Sequence, residues 1–434
     1  MGSAGAPAVR LRAGTALDAD RCAGPCDVVV RDGRIAAIEP FGSPAAPGER
    51  VLGGESALVM PGLVNAHTHL AMTLLRGVGP DAPLDVWLRS HIWPAEGRMT
   101  AEDVYWGSLL GAVEGLLGGT TAFVDMYFHE DQVARACRDA GVRASLAIGL
   151  AGQGDALARR LDAAGETIAT WRAGAADDRV EMRLGPHAPY TCPPAALQTI
   201  ARTAEILRCG VHIHLAETRA EVDEARAAHG RTPVELAAEA GLFGVPAQVA
   251  HVVWPAPGDA RLLAEAGAVV GHCPASNLQL GSGVAPALDL VDAGVRLALG
   301  TDGAASAPGL DMLDNLRLAW LVAKGRAHDP RRPTAREAFA WATRGGAAAL
   351  GRDDLGRLAV GATADLVVVE LDRPGLWPLP DDPYALVVEG VRASDVAAVL
   401  VDGIVRVEGG RPVGIDLGAL RREVLARARR LRAG

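Results

Sequence analysis

Eight short apolar runs, each followed by a longer stretch of helical texture, recur through the middle of this chain. The runs lie in LVMPGLVNAHTH, TTAFVDMYF, VRASLAIGL, VEMRLGPHAPY, CGVHIHLAE, AQVAHVV, AVVGHCPASN and VRLALGTDG. Between them fall segments such as AEDVYWGSLLGAVEGLL, PPAALQTIARTAEIL, EVDEARAAHG and GDARLLAEAG. Runs that are apolar throughout, rather than alternating, belong to strands buried on both faces, which is the situation of a parallel sheet covered by helices. Eight strand-helix units predict an α/β architecture closed into a (β/α)8 TIM barrel.

The two ends have a different texture. CDVVVRDGRIAAIEP reads as a strand, an Asp-Gly turn and a second strand, and VAAVLVDGIVRVEGGR repeats the pattern around Asp402-Gly403. Two β-rich ends around a different middle predict a small composite β-sandwich domain built from both termini. The expected division is 1–58 for its N-terminal part, 59–359 for the barrel and 360–434 for its C-terminal part with a closing helix.

Composition narrows the chemistry. The hydrophobic fraction is 49% and the net charge −9, with no basic run, so the footprint of a nucleic-acid binder is missing and a small-molecule partner is expected. Lys324 is the single lysine, which removes Schiff-base, P-loop and carbamate-lysine mechanisms. The opening MGSAGAPAVR has no apolar core of a leader, and no stretch approaches the about 20 apolar residues of a membrane span. A cytoplasmic location is expected. Cys22 and Cys26 are the one close pair among six cysteines, and they read as ordinary thiols.

In the expected barrel the chemistry sits at the C-terminal ends of the strands, and that is where the polar residues gather. His67 and His69 close the first run; two apart on a strand, their side chains share one face. His212 and His214 repeat the spacing on the fifth run, whereas 11 histidines scattered at random would give about 0.3 such pairs. His187 ends the fourth run, His251 the sixth and Asp302 the eighth, while His272 lies on the seventh. Imidazole and carboxylate together suit a divalent ion with an open position for water, so His67, His69, one of His212 and His214, and Asp302 form a sensible ligand set. Glu217 lies three residues beyond His214, placed to move protons once its pKa is raised. Read singly, His212 and His272 are packed core histidines, and His91, His129, His229 and His328 are surface or helix residues. Trp87 either packs or lies over a ring substrate.

The motifs PGLVNAHTHLAMTLLRG, LDVWLRSHIWPAEGRMT, TTAFVDMYFHE, LGPHAPYTC, VHIHLAE, AHVVW, CPASNLQLGSG, LGTDGAAS and GRLAVGATADLVVVELD run from end to end of the chain. Together they resemble the amidohydrolase superfamily, and within it the adenosine-type deaminases acting on 5′-methylthioadenosine and S-adenosylhomocysteine. The resemblance implies one divalent ion, with zinc favoured over iron or manganese, on His67, His69, His214 and Asp302. It implies Glu217 as proton shuttle to the ring nitrogen, His251 as the group that holds or deprotonates the attacking water, His187 as a purine contact and Glu96 as the ribose acceptor. It also implies a homo-oligomer. Where relatives that use S-adenosylhomocysteine can present an arginine to its carboxylate, this chain has Ile148, with Arg160 as the remaining candidate. A 5′-modified adenosine is therefore expected ahead of S-adenosylhomocysteine itself, and aminodeoxyfutalosine stays in view. The rivals are a guanine- or cytosine-type base deaminase, an s-triazine chlorohydrolase of the same branch, and, more remotely, a non-catalytic structural relative. The cytidine-deaminase zinc signature is absent.

Overall fold

The computed structural model describes residues 8–79, 81–174 and 179–432; the first seven residues, on which the no-leader reading rests, lie outside them. The barrel strands are β1 (Leu63–Thr68), β2 (Thr120–Tyr127), β3 (Arg143–Leu150), β4 (Val180–Pro186), β5 (Val211–Leu215), β6 (Ala247–His251), β7 (Val269–His272) and β8 (Arg296–Leu299). Hydrogen-bonded neighbours follow chain order, and all the pairings are parallel. Every residue of β1 and β2 is buried, as continuous apolar runs between a filled interior and a helical coat require. The helix Ala101–Leu117 shows how the coat is cut to length. Thr100 accepts from the Asp103 amide while the Asp103 carboxylate accepts from the Thr100 amide, a reciprocal cap that adds about 1 kcal/mol, and Gly118 ends it.

Among the described residues no ladder joins β8 to β1. The seam is closed by the loop after β8: the Asp302 amide donates to the His67 carbonyl at 2.9 Å. Asn65 adds two bonds, its Oδ1 accepting from the Thr301 amide at 3.0 Å and its Nδ2 donating to the Thr301 hydroxyl at 2.6 Å. Gly300 permits this approach, because a Cβ there would stand 2.8 Å from the His67 backbone.

Both ends of the chain enter one nine-stranded mixed sheet, in which Arg50–Pro61 pairs with Val9–Leu17 on one side and Leu366–Glu370 on the other. The sheet curls over its own core of Leu11, Val28, Val30, Val59, Leu366, Val368 and Leu400. Its two Asp-Gly turns meet: a Cβ on Gly403 would lie 2.9 Å from Val30 and 3.1 Å from Gly33. The terminal β structure thus folds as a sandwich would. No helix among the described residues is long and apolar enough to cross a membrane.

The sheet is fastened to the closed end of the barrel by a buried ion pair. Arg143, the first residue of β3, donates through Nε to Asp365 Oδ2 at 2.8 Å, and through Nη2 to Asp402 Oδ1 at 2.8 Å. Removing one partner leaves a buried charge uncompensated. Arg143→Met alone is expected to lower unfolding free energy by about 3–5 kcal/mol in urea titrations, and pairing it with Asp365→Leu to recover most of the loss.

Candidate active site

Four histidines and a carboxylate converge at the C-terminal mouth. One donor atom each from His67, His69 and Asp302 lies within 4.8 Å of the others, and the same holds for His67, His214 and His251. His67 belongs to both groups, so the donors form one cluster around it. Asp302 Oδ1 lies 3.2 Å from His69 Nε2 and 3.5 Å from His67 Nε2. The Asp302 carboxylate is held by the Ser276 hydroxyl at 2.5 Å and by the Gly303 amide at 2.8 Å.

Hydrogen bonds at the far side of each ring decide what the near side offers. His69 Nδ1 donates to the Met126 carbonyl at 2.6 Å, and His214 Nδ1 donates to the His187 carbonyl at 2.8 Å. A carbonyl only accepts, so Nδ1 carries a proton in both rings and Nε2 is the nitrogen turned toward the cluster. His67 Nε2 is a buried nitrogen with no hydrogen-bond partner. Bare imidazole nitrogens around a carboxylate are the donor set of a divalent ion, and the residues present fit one. Burial pushes the His67 ring down to about 4 and His214 well below the ordinary histidine range. At His69 burial is outweighed by Asp302, which holds the ring up to about 9. Against its own burial, Asp302 is kept far below the usual carboxylate range by the His67 and His69 rings beside it.

A cavity of about 800 Å³ opens from this cluster and is lined by His69, Trp87, Glu96, Ile148, Arg160, His187, His214, Glu217, His251 and Asp302. Glu217 is buried, its Oε1 accepting from the Ser282 hydroxyl at 3.4 Å and its Oε2 lying 3.7 Å from His251 Nε2. Burial raises its pKa. His251 Nδ1 donates to Asn277 Oδ1 at 2.9 Å, which leaves Nε2 bare toward Glu217. His187 Nδ1 donates to the Thr191 hydroxyl at 2.9 Å, and burial pushes this ring down to about 4. Glu96 sits half-buried, carried up to about 7 by burial, with Tyr127 pulling the other way. Trp87 is both packed and in the wall: it is buried, and its Nε1 donates to the Val78 carbonyl at 3.1 Å. Arg160 stands exposed at the rim, with Nη1 on the Ala151 carbonyl at 3.1 Å.

His212 and His272 are buried away from the cavity lining. His212 still touches the cluster, its Nε2 lying 2.9 Å from His67 Nδ1. His91, His129, His229 and His328 are exposed, His129 at the cavity rim. Cys22 and Cys26 are free, and neither joins a metal-capable group among the described residues. Four supporting residues were not singled out by the sequence reading: Ser276 and Asn277, which hold Asp302 and His251, Ser282, which meets Glu217, and Glu221. CPASN, directly after the seventh run, and T-x-x-E, directly after Glu217, were the available signals.

A barrel with this cluster at its mouth defines a metal-dependent hydrolase. The amidohydrolase family profile matches residues 58–405. A 5-methylthioadenosine/S-adenosylhomocysteine deaminase of Moorella thermoacetica is 44% identical over 403 residues, covering 92% of this chain and 94% of its own. A 5′-deoxyadenosine deaminase of Methanothermobacter thermautotrophicus is 42% identical over 385 residues, covering 88% and 89%. The solved structure of an adenosine deaminase from Xanthomonas campestris with bound zinc superposes with a TM-score of 0.92 at 34% identity, covering 98% of this chain and 99% of that one. The chain belongs to the amidohydrolase family and, within it, to the group of the 5-methylthioadenosine/S-adenosylhomocysteine deaminases.

Proposed function

We propose that this protein is a divalent-metal hydrolase that deaminates adenine nucleosides, releasing ammonia and leaving the 6-oxo nucleoside. The observation that carries the reading is the pairing of His251 Nε2 with Glu217 Oε2, 3.7 Å apart, beside the donor cluster and inside one cavity. His67, His69, His214 and Asp302 would hold the ion, and zinc is favoured because the Xanthomonas campestris relative carries it. Bound there, it lowers the pKa of water from 15.7 to about 7 and so supplies hydroxide at neutral pH.

The chain's own groups supply the rest. Glu217, whose pKa burial raises, donates to the ring nitrogen beside the amine-bearing carbon as water adds to that carbon. His251 and Asp302 take the attacking water's proton and pass it to the amino group, which leaves as ammonia while the added hydroxyl's proton returns to Glu217 and the carbon becomes the 6-oxo group. His187 contacts the purine, and Trp87 closes over the ring. Glu96 accepts from the ribose hydroxyls, with Tyr127 favouring its ionised form. The lining favours a nucleoside over a nucleotide: the Asp302 carboxylate would repel phosphate, and Arg160 is the single guanidinium in the described wall. Ile148 in that wall leaves the carboxylate of S-adenosylhomocysteine with Arg160 alone, so neutral 5′ substituents are preferred.

The test is ammonia release by zinc-loaded protein from 5′-methylthioadenosine, 5′-deoxyadenosine, adenosine, S-adenosylhomocysteine, aminodeoxyfutalosine, guanine and cytosine. Turnover confined to the adenine nucleosides is expected; an ion-loaded protein that leaves them all intact overturns the reading. Glu217→Gln should keep its ion and lose about 10²–10⁴-fold in kcat. Glu96→Gln should raise KM for ribonucleosides about tenfold, a charge-assisted hydrogen bond being weakened, while 2′,3′-dideoxyadenosine turnover stays put. Equal KM changes on both substrates would remove Glu96 from the ribose.

A further inference from the structure

Glu217 is the residue on which proton delivery rests, and the backbone beneath it is strained. Ala216, directly before it, has φ 52°, a left-handed conformation that a residue with a Cβ adopts only when neighbours enforce it. The enforcing group is visible. Glu221 accepts from the Ala216 amide through Oε1 at 3.0 Å and from the Glu217 amide through Oε2 at 2.8 Å. Both bonds are buried, and Glu221 itself is 6% exposed.

The position of Glu221 is that of a helix cap put to a second use. The helix Arg219–His229 starts at Thr218, whose hydroxyl accepts from the Glu221 amide at 3.1 Å. In a reciprocal cap the carboxylate three residues in would return to the cap residue's own amide. Here it reaches further back, to the two amides that precede the cap. The Ala216 carbonyl, turned the other way by the same φ, accepts from the Val253 and Trp254 amides at 2.9 Å each, so the kink is tied on one side to Glu221 and on the other to the loop after β6.

We propose that Glu221 is a positioning residue for the reaction: its carboxylate clasps two consecutive amides, holds Ala216 in the left-handed conformation and so fixes where the Glu217 carboxyl stands. A carboxylate is required because two N–H donors face it. A glutamine can accept from one of them and sets its own NH₂ against the other. The inference rests on the deaminase reading for its catalytic consequence and on geometry alone for its structural one.

The experiment compares wild type, Glu221→Gln, Ala216→Gly and Ala216→Gly/Glu221→Gln, each zinc-loaded, for kcat and KM with 5′-methylthioadenosine, ion content and melting temperature. Glu221→Gln should retain its ion and lose about a hundredfold in kcat with KM within about threefold, because a displacement near 1 Å at a reacting group has that effect. Ala216→Gly should lie close to wild type, since glycine adopts positive φ freely. In the double variant kcat should recover at least about tenfold, a rescue that lost stability alone would not give. Amide exchange of metal-free protein gives a readout independent of turnover: the segment around Ala216 and Glu217 should exchange faster in Glu221→Gln while β5 keeps its protection. Wild-type kcat in Glu221→Gln, unchanged exchange there, or no rescue by glycine overturns the proposal. A wild type that turns over no adenine nucleoside overturns the deaminase reading instead, and the exchange measurement still decides the clasp.

Discussion

The site depends on the barrel strands being turned sharply where they end. Ala216 after β5, His251 at the end of β6 and Asp302 after β8 have φ values of 52°, 74° and 64°. Residues with a Cβ lose about 1–3 kcal/mol in that region, so each kink persists only because a neighbouring polar group holds it. Glu221 holds the first, Asn277 reaches His251 at the second, and Ser276, Thr68 and Thr301 bond Asp302 at the third. The kinks aim side chains that a straight strand would send elsewhere. Strain is therefore concentrated at the proposed ligands and proton carriers, and the fastenings come from the residues just beyond them.

The same economy governs the histidines. His69, directly after β1, is oriented by a carbonyl of β2, and His214 on β5 by a carbonyl that follows β4. Strand register thereby sets the tautomer, and the tautomer sets which nitrogen is free. A shift of one residue between β1 and β2 would remove the acceptor and leave His69 free to present either nitrogen. The ion pair of Arg143 with Asp365 and Asp402 at the opposite end of the barrel pins β3, which pairs with both β2 and β4, to the terminal sheet. Positioning at the mouth is thus supported from the floor.

The barrel and the ligand cluster were legible because their signals are periodic. Apolar runs of strand length alternating with helices gave the architecture, and H-x-H spacing marked which faces converge. The spacing could not choose between His212 and His214, since residues two apart point the same way. Depth chooses: their ring centroids lie 6.4 Å apart, about the rise of two strand residues, so His212 sits one layer down against His67 while His214 reaches the cavity. Glu96 and Trp87 come from the excursion after β1, where no period exists to read, and only the resemblance placed Glu96 at the substrate. The fastening residues Glu221, Ser276 and Asn277 escaped because their patterns are those of ordinary helix starts. What sets them apart is the strained residue each one meets, and strain has no signature in sequence.

The seam between β8 and β1 joins stability to function more tightly than the rest of the barrel does. Elsewhere neighbouring strands share ladders of main-chain bonds, but here the contact is Asp302 amide to His67 carbonyl with Asn65 and Thr301 beside it. Two of the residues that close the barrel are therefore two of the residues that would hold the ion. The Asp302 carboxylate stands 3.5 Å from the His67 ring and 3.2 Å from that of His69, and His67 Nε2 has no hydrogen-bond partner. A cation held by His67 and Asp302 would satisfy those donors and tie the seam, and any ligand that binds only the folded chain adds RT ln(1 + [L]/Kd) to its stability. The weakest junction of the barrel is where the proposed cofactor would bind, so loss of the ion loosens the fold where the chemistry is done.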